Sequence, residues 1–219
     1  MLESGNNPPK AESDMTSASG NRPIRIGVLA VQGAFIEHCR MMEKLGCECK
    51  QVRKPEDLEG LHGLIIPGGE STTIGKLMDK FKLFSAVQEK VRQGLPVYGT
   101  CAGLILLAKE ITGSTQPRLG LMDISVQRNG YGRQIDSFEA DLSVSSLGDN
   151  PFHAVFIRAP FIEKAGPEVE VLAELDKRPV LARQGKMLVS SFHPELTDDL
   201  RIHELFLQMV KNSEFVQLR

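Results

Sequence analysis

The chain has 219 residues, of which 41% are hydrophobic and 25% charged, which is long enough for one full hydrophobic core and short for two. A formal net charge of -2 and a pI near 6.2 provide no basic field for nucleic acid or an anionic membrane. No apolar run approaches the ~20 residues that a bilayer-spanning helix needs.

Residues 1–23 are rich in Ser, Asn, Pro, Gly and Glu and nearly free of large apolar side chains, so they read as a disordered tail. The tail lacks the apolar stretch of a signal peptide, and Glu3, Glu12 and Asp14 argue against a mitochondrial presequence. Residues 24–219 are expected to form a single domain. Ile24 to Val31 reads as a buried strand, followed by Gln32-Gly33 and a helix with Phe35, Ile36, Cys39, Met42 and Leu45 at three- and four-residue spacings, closed by Gly46. Further strands are expected around Cys49 to Val52 and at Leu64-Ile65-Ile66. Continuous apolar strands alternating with helices predict an open, mostly parallel α/β sheet covered on both faces.

Pro67-Gly68-Gly69-Glu70-Ser71-Thr72-Thr73 closes the third strand and opens a helix expected to run to about Gln93. Its glycines leave backbone N–H groups unobstructed at a strand's carboxyl end, the edge where open α/β sheets bind ligands. A plain turn capped by Ser71 or Thr72 is the alternative.

Val97-Tyr98-Gly99-Thr100-Cys101-Ala102-Gly103-Leu104, continued by Ile105-Leu106-Leu107-Ala108, has the form of a nucleophile elbow. A strand turns sharply into a helix at Cys101, and the two flanking glycines permit the tight backbone. The cysteine would sit at the helix's amino end, which favours its ionised form. The N–H of Ala102 is placed to stabilise an oxyanion. The competing reading is a buried, inert cysteine in an ordinary turn.

Beyond a surface loop at Gly113 to Arg118, strands are expected at Leu121 to Gln127, Phe138 to Val144, His153 to Ile157, Val169 to Leu175 and Val180 to Arg183. Within this β-rich insertion, Arg128 and Arg158 are the side-chain type suited to holding a carboxylate. The last strand, Met187 to Phe192, delivers His193-Pro194-Glu195 before a closing helix from about Asp198 to Lys211. In extended chain, positions two apart face the same way, so Glu195 would lie beside the His193 ring and orient it as a base for a cysteine. His38, His62, His153 and His203 suggest no chemistry. Four scattered cysteines, Cys39, Cys47, Cys49 and Cys101, do not form the framework of a small disulfide-rich secreted fold. Cys47 and Cys49 are expected on one side of a strand, in a reducing, cytoplasmic setting.

Gly-Thr-Cys-Ala-Gly at 99–103, Pro-Gly-Gly-Glu-Ser-Thr-Thr at 67–73 and Phe-His-Pro-Glu-Leu at 192–196 together resemble the class I glutamine amidotransferases. More closely, the chain is similar to the family of glutaminase subunits of pyridoxal 5'-phosphate synthases. The stretches at 26–33, 132–139 and 156–160 match as well. The resemblance implies a three-layer, flavodoxin-like α/β fold with added antiparallel strands. It implies Cys101 as nucleophile, with His193 and Glu195 completing a triad. Gly69, Glu70, Ser71, Arg128, Ile157 and Arg158 would contact L-glutamine, with Gly68, Gly69 and Ala102 around the oxyanion. No metal or other cofactor is implied. The ammonia would pass to a partner synthase subunit, and the oxyanion loop would be completed on docking. Departures are the extra tail, Val31 where leucine is expected, and Tyr131 where phenylalanine is common. Two alternatives are a stand-alone γ-glutamyl cysteine hydrolase and a non-catalytic docking subunit.

Overall fold

A computed structural model of the chain describes residues 23–128 and 137–217. All but the last residue of the expected disordered tail, and the 132–136 part of one family-like stretch together with Tyr131, lie outside the described residues.

The elements run β1 (Arg25–Leu29), α1 (Phe35–Lys44), β2 (Glu48–Val52), β3 (Gly63–Ile66), α2 (Ser71–Lys80), α3 (Leu83–Arg92), β4 (Val97–Thr100), α4 (Ala102–Leu107), β5 (Ala108–Ile111) and β6 (Met122–Gln127). They continue with β7 (Ser137–Leu142), β8 (Phe152–Ile157), β9 (Phe161–Ala165), β10 (Glu170–Leu175), β11 (Arg178–Gln184), β12 (Met187–Ser190) and α5 (Arg201–Gln217). The main sheet has seven strands in the order β10-β11-β12-β4-β3-β1-β2. Its five strands from β12 to β2 are parallel, whereas β11 and β10 extend it antiparallel. A three-stranded sheet β5-β6-β9 and the β7-β8 hairpin stand apart from it. This is the three-layer, mostly parallel architecture expected from the alternating apolar segments.

Strand periodicity explains the two cores. Ile26, Val28, Ile65 and Tyr98 point to one face, where they pack with Met42 of α1, Ile202, Phe206 and Val210 of α5, and Phe152 and Phe156 of the hairpin. Leu29, Leu64, Ile66 and Val97 point to the other, against Ile74 and Met78 of α2, Leu83 and Val87 of α3, and the buried α4. Both faces are covered, which is why β1, β3 and β4 are largely apolar on both sides.

Several local expectations are corrected. The single helix expected from Ser71 to about Gln93 is two, α2 and α3, separated at Phe81-Lys82, where Lys82 takes the left-handed region (φ 57°). Its N–H closes on the Asp79 carbonyl, so the chain turns without glycine or proline. Ala108, read with the apolar run that continues the elbow, instead begins β5, because the small sheet recruits Ala108–Ile111 to pair with β6. Strand β9 was not anticipated, and the closing helix begins at Arg201 rather than Asp198. Cys47 and Cys49 do face the same core, but Cys49 is bonded to Cys39, a disulfide tying β2 to α1. No helix of the described residues is long and apolar enough to cross a membrane.

Candidate active site

The site forms where parallel strands end side by side. Ser190, the last residue of β12, is level with Thr100, the last of β4, and Ile66 at the end of β3 is level with Gly99. The residues that follow each strand, Gly68 and its neighbours, Cys101, and His193, are therefore delivered to one edge of the sheet. Two backbone bonds fix the last two: Cys101 N–H donates to the Ser190 carbonyl at 2.8 Å, and His193 N–H to Val155 of β8 at 2.8 Å.

Cys101 has φ 47° and ψ −96°, a conformation few non-glycine residues adopt. The turn is as tight as the flanking glycines predicted. A Cβ on Gly103 would fall against the Ile66 carbonyl oxygen, and one on Gly99 would lie 2.6 Å from the Gly103 carbonyl carbon. The cysteine is 7% exposed and its thiol points toward the Ile157 carbonyl, 3.9 Å away. It lines a cavity of about 250 Å³ together with His193, where an inert core cysteine would have been sealed among apolar side chains.

His193 bridges the sulfur and a carboxylate. Its Nδ1 lies 2.8 Å from Glu195 Oε1, and the ring also hydrogen-bonds Cys101. Burial by itself would lower the pKa of this ring, but the hydrogen bonds to Cys101 and Glu195 outweigh it and raise the value to about 10. Glu195 is more buried still; desolvation opposes its ionisation, yet His38 and His193 beside it hold its carboxyl below the usual range. The pairing arises differently from the extended-chain expectation. Pro194–Leu196 form a 3₁₀ turn, and it is this turn that folds the carboxylate back onto the ring. The ring in turn rests on Gly68, where any Cβ would overlap it.

All six residues expected around a substrate line the cavity: Gly69, Glu70, Ser71, Arg128, Ile157 and Arg158. Arg128 lies 3.4 Å from Glu70 Oε1, and Arg158, exposed at the end of β8, has φ 43°. Gly68 lies behind His193, and Ala102 opens α4 directly after Cys101. Among the described residues no group of three or more His, Cys, Asp or Glu side chains is placed to hold a metal ion.

Sequence reasoning missed several participants. Gln32 lines the cavity, and its Oε1 accepts from the Glu70 N–H at 2.9 Å. Gln116 lies in the loop expected at the surface, yet it is buried, and its Oε1 accepts from Arg128 at 3.0 Å and from Ser71 at 3.3 Å. Ile105 of α4 completes the wall. His38 and His203, to which no chemistry was assigned, are fully buried behind Glu195. Gln32 was visible as the residue preceding a strand-end glycine; Gln116 and the two histidines carry no local signal.

A cysteine at an elbow, a histidine and a glutamate in the turn after β12, and an open parallel sheet together have the form of a class I amidotransferase. Comparison with known proteins narrows this: residues 28–212 match the SNO glutamine amidotransferase family, and the chain belongs to that family. It is 59% identical over 186 residues to pyridoxal 5'-phosphate synthase subunit PdxT of Desulforamulus reducens, covering 85% of this chain and 99% of that protein. It is 61% identical over 185 residues to the protein of the same name from Pelotomaculum thermopropionicum, covering 84% and 94%. A solved glutamine amidotransferase superposes with a TM-score of 0.82 at 55% identity, over 85% of this chain and 98% of that one. A glutamine amidotransferase from Thermotoga maritima, at 14% identity and a TM-score of 0.59 over 88% and 86%, shares the fold.

Proposed function

We propose that residues 24–219 form one glutaminase domain that hydrolyses L-glutamine to L-glutamate and ammonia, and that the ammonia supplies a partner synthase subunit in pyridoxal 5'-phosphate biosynthesis. The observation that carries the reading is the shared cavity. Cys101 and His193 open onto it, Glu195 backs the histidine, and Glu70 with two arginines lines the remainder. A free amino acid presents an ammonium and a carboxylate, and these side chains offer one acceptor and two donors to match them. The cavity is smaller than the roughly 300 Å³ at which pockets for drug-sized ligands begin, in keeping with a ligand of amino-acid size.

In the proposed reaction His193, as the imidazolium, holds the proton given up by the Cys101 thiol, and the sulfur attacks the side-chain amide carbon. Backbone N–H groups of Ala102 and the Gly68-Gly69 loop receive the oxyanion. The imidazolium returns the proton to the amide nitrogen, the C–N bond breaks and ammonia leaves. Water, deprotonated by His193, then cleaves the γ-glutamyl thioester, giving glutamate and restoring the thiol. Glu195 holds the ring in the tautomer that both steps need.

A role for docking finds support in how the loop is held. The Gly68 carbonyl accepts from Ala34 N–H at 3.1 Å, and Glu70 N–H is held by Gln32. The segment after β1 therefore grips both sides of Gly69, and a partner seated on that segment acts on the oxyanion loop. The test is glutamate release by the chain alone, with a pyridoxal 5'-phosphate synthase subunit, and with Cys101→Ala. Synthase-stimulated release that is lost in the variant is expected. Full turnover without a partner supports a stand-alone hydrolase, and no release under any condition supports a non-catalytic docking subunit.

A further inference from the structure

We propose that His38, in the middle of α1, is a positioning residue: its Nε2–H faces the second oxygen of Glu195 and holds the carboxylate in line with His193. The proposal deepens the glutaminase reading and rests on it for its kinetic arm. Glu195 Oε1 is engaged by His193, whereas Oε2 is buried and makes no hydrogen bond of good geometry. A buried carboxylate oxygen requires a donor or a strong electrostatic substitute. The group facing it is His38 Nε2, 3.4 Å away. The same nitrogen is hydrogen-bonded to Thr100 Oγ1 at 3.1 Å, one residue before the nucleophile, so an Nε2–H is shared between that hydroxyl and the carboxylate.

The proton positions follow from the neighbours. His38 Nδ1 is 3.0 Å from His203 Nε2 of α5, so one of the two nitrogens must donate and the other accept. With the proton on His38 Nδ1, a lone pair on Nε2 would face the carboxylate, and His38 would offer Oε2 no donor. With the proton on His38 Nε2, the carboxylate meets an N–H, and His203 Nε2–H donates to His38 Nδ1. His203 Nδ1 is buried without a partner in either arrangement, as a lone pair here and as an N–H in the other. An unpartnered neutral nitrogen costs far less than an unpartnered charge, so Glu195 fixes both tautomers.

Charge agrees with this assignment. Burial lowers the pKa of His38 against the pull of Glu195, and burial together with His38 lowers that of His203 to about 3, so both rings are neutral. The groups facing His38 are Glu195 and His193 beyond β12, His203 of α5, Tyr98 and Thr100 of β4, and Glu37 on its own helix. Tyr98 packs edge-on to both imidazoles, at 6.3 and 6.2 Å between ring centres, and limits their rotation.

Two experiments test this. Nitrogen-15 NMR of the unmodified chain is expected to show His38 as the neutral Nε2–H tautomer; a neutral Nδ1–H form overturns the proposal. That measurement needs neither a variant that folds nor glutamine. In the synthase complex, His38→Leu is expected to lower kcat for glutamate release roughly 10- to 100-fold, with KM for glutamine within about twofold. His38→Gln, whose amide N–H can take the place of Nε2–H, is expected to recover most of the loss. Unchanged kcat in His38→Leu, or no recovery in His38→Gln, overturns it. If the unmodified complex releases no glutamate, the glutaminase reading fails, and the tautomer alone decides the role of His38.

Discussion

At Cys101 the backbone and the chemistry make opposite demands. Left-handed φ with ψ −96° is costly for any residue with a Cβ, and the position is held by the backbone bond to Ser190 and by the close approach of Gly99 and Gly103. Cys101→Gly removes that strain while giving up a sulfur and some unfolded-state entropy. The variant is therefore expected to gain on the order of 1 kcal/mol in urea unfolding and to lose glutamate release entirely. An equally or less stable variant shows that the elbow is not strained in solution. The triad was legible in sequence because each member belongs to a short local pattern: glycines two residues either side of Cys101, and a proline between His193 and Glu195. Gln116, His38 and His203 were not, because Ser71, Thr100 and His38 lie 45, 62 and 165 positions from them respectively, and even Arg128, 12 positions from Gln116, meets it only in the folded chain.

Among the elements, the central parallel strands β1, β3 and β4 were legible because burial on both faces leaves them largely apolar, whereas the edge strand β2 is mostly polar. Less was visible where tertiary pairing decides. The α2-α3 break carries no glycine or proline, and β5 looks like the continuation of α4 until β6 is present to pair with it. The contact between α1 and β2 is covalent, since Cys39 and Cys49 close a loop with a sequence separation of 10. Closing so short a loop restricts the unfolded chain by about 2–3 kcal/mol. Cys49→Ser is expected to lower stability by that amount in urea unfolding under oxidising conditions, and the unsubstituted chain is expected to match the variant once reduced. Equal stability in the presence and absence of reductant contradicts the staple.

Across the whole molecule, the buried ionisable groups lie where α1, α5, β4 and the turn after β12 meet, so folding and protonation are linked. On the acid side, the unfolded state protonates His38 and His203 near pH 6.5, whereas burial keeps both rings neutral in the fold, His203 down to about 3. Unfolding therefore takes up protons in this range, and stability falls as pH drops from 6.5 toward 3. Glu195, with its folded value depressed, adds a loss in the same direction below its usual range. On the basic side His193 has the opposite sign: its folded value is raised to about 10, so the stability it contributes is complete below 6.5 and is lost as pH rises toward 10. Unfolding free energies from urea titrations across pH are thus expected to peak near 6.5 and fall on both sides. His203→Leu removes one group that binds its proton only on unfolding. The variant's slope between about pH 4 and 6 is expected to be shallower by up to about 1.4 kcal/mol per pH unit, the contribution of one proton, with the basic limb unchanged. A profile that is flat on the acid side, or an acid slope unaltered in the variant, means that His203 is protonated in the fold, and a charge there would be repelled by any proton shared with His38.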